Sequence, residues 1–127
     1  MNKGKLITYW VATALLSVGM SGSGIAQLMR AKEMVGILAN LGYPLYLMSI
    51  LGTWKILGVI AILLPGFKLV KEWAYAGLFF TMTGALVSHL IMGDSGKAVI
   101  GPAAQTIFIV LSWYCRPANR KIDTANL

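Results

Sequence analysis

The chain has 127 residues, of which 57% are hydrophobic and 12% charged, with 11 Lys and Arg against 4 Asp and Glu and a formal net charge of +7. A soluble domain is usually about 45–50% apolar and about 25% charged, so a small water-soluble globule would be short of polar surface, and a disordered chain is excluded by the high hydrophobicity. The single Cys excludes a disulfide scaffold, and the length leaves room for one domain and no separate nucleotide-binding unit. In so apolar a chain the basic excess reads as the flanks of membrane segments, and no nucleic-acid partner is expected.

Four apolar runs follow one another at 6–28, 45–64, 73–92 and 98–115. Each is close to the roughly 20 residues that cross a hydrocarbon core about 30 Å thick. The first run, with Lys3 and Lys5 before it and Gly19, Ser21, Gly22, Ser23 and Gly24 near its end, resembles a secretion signal. Its long apolar core and the helical spacing of its small residues favour an uncleaved span. The fourth run carries Pro102 near its start, where a proline of the first turn is tolerated because its missing N–H has no helical partner.

Between the first two runs, Met34, Ile37, Leu38 and Leu41 repeat at helical spacing, while Arg30, Lys32, Glu33 and Asn40 fall largely elsewhere. Gly42 can end such a helix and Pro44 forbids its continuation. The segment 30–42 is read as a short amphipathic helix lying in the membrane interface, with a helix packed over the mouth of the bundle as the alternative. The other joints, 65–72 (PGFKLVKE) and 93–97 (GDSGK), are short enough to force antiparallel neighbours. The expected fold is all-α: an antiparallel four-helix transmembrane bundle, one membrane domain over 1–127, with a short interfacial helix between the first and second spans.

The basic residues orient it. With the N-terminus in the cytoplasm, Lys3, Lys5, Lys68, Lys71, Arg116, Arg120 and Lys121 lie inside, and Arg30, Lys32 and Lys97 outside. That excess predicts a multi-pass protein of the plasma membrane with both termini cytoplasmic.

Lys55 is the exception to this separation of charge from lipid. It stands midway between Pro44 and Pro65, near the centre of the second span. A lysine there costs about 2.5–3.5 kcal/mol on insertion scales and normally faces the bundle interior. No run carries a central Asp or Glu, so Glu72, at the start of the third span, is the candidate ion-pair partner. Lys55 is read either as a site for an anionic or carbonyl-bearing ligand or as a structural lysine that snorkels or caps carbonyls.

The other spans offer polar faces at i, i+3, i+4 spacing: Thr13, Ser17, Ser21, Gly24 and Gln27; then Gly77, Thr81, Ala85 and His89; then Gly101, Gln105 and Ser112. Small residues there serve close helix packing. A narrow polar cavity would account for Lys55, Thr81, Gln105, His89 and Ser17 together, and these are the candidate ligand-binding residues, with Thr83 a further neighbour of Lys55. Asp94 can pair with His89 or cap the next helix. One His and one Cys make no metal cluster, so no metal is expected. With no Ser–His–Asp pattern, phosphate loop or paired carboxylate, no catalytic residue is assigned. Trp10, Tyr9, Tyr43, Tyr46, Trp73, Tyr75, Trp113 and Tyr114 cluster at span ends as an aromatic belt.

The segments LGYPLYL (41–47), LGTWKILGVIAILLPG (51–66), KEWAYAGLFF (71–80), TGALVSH (83–89) and the pair Gly93-Asp94 resemble the DoxX-like family of small bacterial four-helix membrane proteins, over most of the chain. The resemblance puts Lys55, Gly58, Glu72, Trp73, Gly77, Gly84, His89, Gly93 and Asp94 on typical family positions. It departs from the family at Thr81, where many relatives carry Asp or Asn. The family takes its name from subunits of a quinone-linked sulfur-oxidising enzyme. This implies one function: a small subunit of a membrane redox system that holds a quinone-like or other lipid-soluble ligand near Lys55, with electrons supplied by a soluble or membrane partner. The alternatives are a non-catalytic assembly or scaffold protein that binds other transmembrane helices, and a small transporter or channel subunit, for which a homo-oligomer would be needed.

Overall fold

The computed structural model describes residues 2–94 and 96–120; Lys121, one of the basic residues counted for orientation, lies outside them. The described chain forms five α-helices: α1 (Lys3–Leu28), α2 (Lys32–Asn40), α3 (Leu47–Leu63), α4 (Lys68–Ile91) and α5 (Lys97–Tyr114). A short 3-10 turn, Ala118–Arg120, follows, and no strand occurs among the described residues. Of the five, α1 and α4 are long and apolar enough to cross a membrane, and α3 is a shorter apolar helix of 17 residues.

Local chemistry sets the ends of the helices. The Asn2 side chain accepts from the Gly4 N–H at 2.8 Å and caps α1. Gly42, at φ 83°, takes the left-handed turn that closes α2, and Pro44 follows. Pro102 proves to stand in the second turn of α5 rather than the first, because the helix begins at Lys97. Lacking an N–H, it cannot donate to the Ala98 carbonyl one turn earlier.

The four longer helices close a ring in which α1 packs on α3 and α5, and α4 packs on the same two. The α1–α3 seam is set by two glycines. A Cβ on Gly52 would lie 2.7 Å from the Gly24 carbonyl oxygen, and one on Gly24 would lie 3.2 Å from that of Gly52. The backbones therefore approach as only small residues permit. Leu16, Met20, Val59, Ile62, Tyr75, Leu78, Met82 and Ile109 fill the centre of the ring.

One end of the ring gathers the starts of α1 and α4 and the ends of α3 and α5. There the last carbonyls of α3, which have no helical donors, are met by side chains. The Lys71 ammonium donates to Ala61 O at 2.7 Å and to Leu64 O, and the Arg120 guanidinium to Ile62 O at 2.8 Å and Leu63 O at 3.2 Å. Two cations thus sit on the negative end of the helix dipole. Beside them Glu72 accepts from Trp113 Nε1 at 2.9 Å and pairs with Arg116 at 2.9 Å. Lys5 lies over Tyr114, Arg116 over Trp113 and Arg120 over Trp10, at 4.6–5.1 Å from the ring centroids.

The outer surface is apolar, and some polar groups lie inside. Large apolar side chains point outward, with Val18 74% and Ile91 77% exposed, while Thr13, Ser17, Gln27, Lys55, Lys71, His89 and Ser112 are buried. Two members of the expected aromatic belt are likewise inside: Tyr9 and Tyr75 are buried. Tyr75 Oη and Thr13 Oγ1 each lie 2.7 Å from Ser112 Oγ, a hydroxyl cluster that satisfies all three within the ring.

Candidate functional site

At the opposite end the ring opens into a cavity of about 550 Å³ lined by α1, α3, α4, α5 and α2. The size lies within the range of about 300–1,000 Å³ typical of small-molecule sites. Helix α2 forms part of its wall: Met34, Ile37, Leu38 and Leu41, the stripe expected to rest in the interface, line the cavity instead. Within this stripe Leu38 is buried and Ile37 is 42% exposed, so α2 covers the cavity with part of its apolar face. An apolar stripe of this kind packs on side chains and on lipid alike, so periodicity serves both readings of the segment.

Lys55 reaches this cavity from α3 and is 5% exposed. Its ammonium makes one hydrogen bond, to Ser23 Oγ at 3.2 Å. An ion pair between Lys55 and Glu72 does not form, because Glu72 is held by Arg116 and Trp113 at the other end of the ring. Thr81, Gln105 and His89 also line the cavity, so four of the five candidate residues are brought together. Ser17 is not among the lining residues; its hydroxyl is buried without a hydrogen-bond partner among the described residues. Thr81 and Thr83 are committed to their own helix, donating to Gly77 O at 2.7 Å and Phe79 O at 2.8 Å. His89 Nδ1 lies 2.8 Å from Asp94 Oδ2.

Sequence reasoning did not assign two polar groups to the site. Ser23 and Gln27 line the cavity with Gly19, at strict spacing of four on α1. That face is turned by about a third of a turn from the Thr13–Ser17–Ser21 series, of which Thr13 and Ser17 are buried. A Cβ on Gly19 would overlap the Gln105 amide, so this glycine is the notch in which that side chain lies. Gln27 Oε1 and Gln105 Oε1 are both buried and accept no hydrogen bond among the described residues. The cavity wall therefore carries the ammonium groups of Lys55 and Lys97, the side chains of Gln27, Gln105, Ser23, Thr81 and His89, and a larger number of apolar residues. No cluster of His, Cys, Asp and Glu able to hold a metal occurs among the described residues.

The profile of the DoxX-like family matches residues 11–114, covering all five α-helices in whole or large part. The chain belongs to the DoxX-like family. No curated protein and no solved structure matches it. The family match spans the cavity wall from Gly19 to Gln105, so the cavity lies within the part that this DoxX-like chain shares with its relatives. Family membership and the apolar helices together fit a membrane protein.

Proposed function

We propose that this DoxX-like chain is an integral membrane protein that holds a lipid-soluble ligand in the cavity around Lys55. On this reading 1–127 is one antiparallel four-helix transmembrane bundle in the plasma membrane with both termini cytoplasmic. The outward apolar side chains and buried polar ones support immersion in lipid, since a surface so apolar would not remain monomeric in water. At 17 residues, α3 is at the lower end of the range of about 17–25 for a span. The basic residues at the Lys71 end support its placement on the cytoplasmic side, and the aromatic rings beside them suit a membrane interface.

The observation that carries the ligand reading is the juxtaposition of Lys55, Gln27 and Gln105 on one apolar-walled cavity. Polar groups this deep are retained where they meet a partner. A head that accepts hydrogen bonds, either the neutral carbonyl of a quinone-like molecule or an acid, would meet the ammonium and the amide N–H groups, and its apolar part would lie against Met34, Leu38, Leu51 and Phe80. The described residues hold no redox group of their own, so any redox role would draw electrons from a partner. The scaffold reading would rest on other small residues, such as Gly77, Gly84 and Gly101, since Gly24 and Gly52 are used for packing inside the chain.

Mass spectrometry of an organic extract of the purified protein tests the reading. A stoichiometric lipid-soluble compound, depleted in Lys55→Met, is the expected result. Bulk phospholipid alone, unchanged by the substitution, would count against a ligand-holding role.

A further inference from the structure

The reading above leaves the ligand's head open between a neutral carbonyl and an acid. The charges of the cavity wall separate them. Among its lining residues the only formally charged side chains are Lys55 and Lys97, and no Asp or Glu is present. Asp94, just beyond the end of α4, already faces His89 Nδ1 at 2.8 Å. Glu72 is occupied by Arg116 and Trp113. Lys55 thus has no anion among the described residues, and its one polar contact is the neutral Ser23 hydroxyl at 3.2 Å. A neutral carbonyl would accept a hydrogen bond but leave the ammonium's charge uncompensated among apolar side chains. A carboxylate would accept the bond and cancel the charge.

We propose, resting on the ligand-holding reading, that the cavity takes a long-chain carboxylate, with its head at Lys55 and its chain along the apolar wall. The geometry favours a monoanion. One ammonium stands at the buried position, whereas a phosphate monoester carries about 1.5–2 negative charges and would leave part of that charge unpaired. Gln27 and Gln105 line the same cavity, and an amide N–H of either would serve the second carboxylate oxygen once its side chain turns to present it. The chain lies along Leu51 and Phe80 and reaches the α2 stripe, Met34, Ile37 and Leu38, toward the mouth.

The test is saturable binding of tritiated palmitate to the purified full-length protein in detergent, with unlabelled palmitate, hexadecan-1-ol and a short-tailed benzoquinone as competitors. Each competitor is also measured for direct binding by native mass spectrometry. Palmitate should compete at least tenfold better than hexadecanol, which has the same chain and no charge. Lys55→Gln should lose that preference at least tenfold, Lys55→Arg should keep it, and Lys32→Gln, outside the cavity wall, should leave it unchanged. Equal binding of acid and alcohol, or binding of the benzoquinone without palmitate, would overturn the acid head while the ligand-holding reading stands. Binding of none of the three would remove both. The acid-to-alcohol comparison is made on the wild-type chain, so it decides the matter even if a Lys55 variant fails to fold.

Discussion

Two buried lysines in one small protein should respond in opposite ways to the same substitution. Lys71 is 1% exposed and donates to the Ala61 and Leu64 carbonyls at the end of α3. Methionine keeps the stem and removes both donors. A buried acceptor left without a partner costs about 1–3 kcal/mol. Leu64 is exposed, so water takes over at its carbonyl, while Ala61 is half-buried and bears most of the loss. Removing a cation from the helix C-terminus adds about 0.3–1 kcal/mol, and the sum for Lys71→Met is a destabilisation of about 1.3–4 kcal/mol on those magnitudes. Lys55 makes one 3.2 Å bond, to Ser23, which is half-buried. Losing it costs about 1 kcal/mol, but the burial of an uncompensated cation, about 2.5–3.5 kcal/mol at a span centre, is relieved. Lys55→Met should leave the ligand-free protein about 1.5–2.5 kcal/mol more stable than wild type on those two magnitudes. Unfolding in mixed detergent and SDS, followed by circular dichroism, measures both. A Lys71→Met protein as stable as wild type would refute the capping assignment, and a strongly destabilised Lys55→Met would show that the Lys55 ammonium is a structural element.

The α1–α3 seam predicts that Gly52→Ala drives the Gly24 carbonyl and Leu28 away and costs about 1–3 kcal/mol, as overpacking does, whereas alanine at Gly36, which meets open space, should be tolerated in the same unfolding assay. Gly19→Ala should push the Gln105 amide out of its notch and narrow the cavity, so ligand recovered in the organic extract should fall while the α-helical signal stays unchanged. Tyr75→Phe removes a 2.7 Å bond to Ser112 inside the ring and should cost about 0.5–1.5 kcal/mol, without altering ligand recovery, because the hydroxyl cluster lies away from the cavity. For topology, in a Cys115→Ser background a cysteine at Asp94 should react with an impermeant maleimide from outside intact cells and one at Lys68 should not; the reverse pattern would invert the proposed orientation.

Much of the architecture can be read from residue order alone. The apolar runs and the punctuation at Gly42 and Pro44, at Pro65-Gly66 and at Gly93 mark helices that end where α1, α3, α4 and α5 end to within a few residues. The motifs around Lys55, Glu72 and His89 suffice to recognise the DoxX-like family. These features are local: a run of apolar side chains, a missing N–H or a positive φ acts on the backbone next to it. The depth of Lys55 between two prolines is local in the same sense, and so is its cost in an apolar setting.

Side-chain partnerships depended on rotations and approaches that no single helix specifies. Glu72 was the acid expected to reach Lys55, yet Arg116 and Trp113, distant in sequence, hold it at the other end. Lys71 looked like a loop cation and became the cap of α3, because the turn at 65–67 folds α4 back against the carbonyls it follows. Tyr75 looked like a belt residue and turned inward to Ser112. On α1, the close approach of Gly24 and Gly52 brings α3 against the helix at the level of Ser23, and that hydroxyl meets the Lys55 ammonium. Helical periodicity names a face to within several tens of degrees, roughly one residue of a 3.6-residue turn. A hydrogen bond needs its partners within a few tenths of an ångström, and that precision arises only when neighbouring helices have locked against one another.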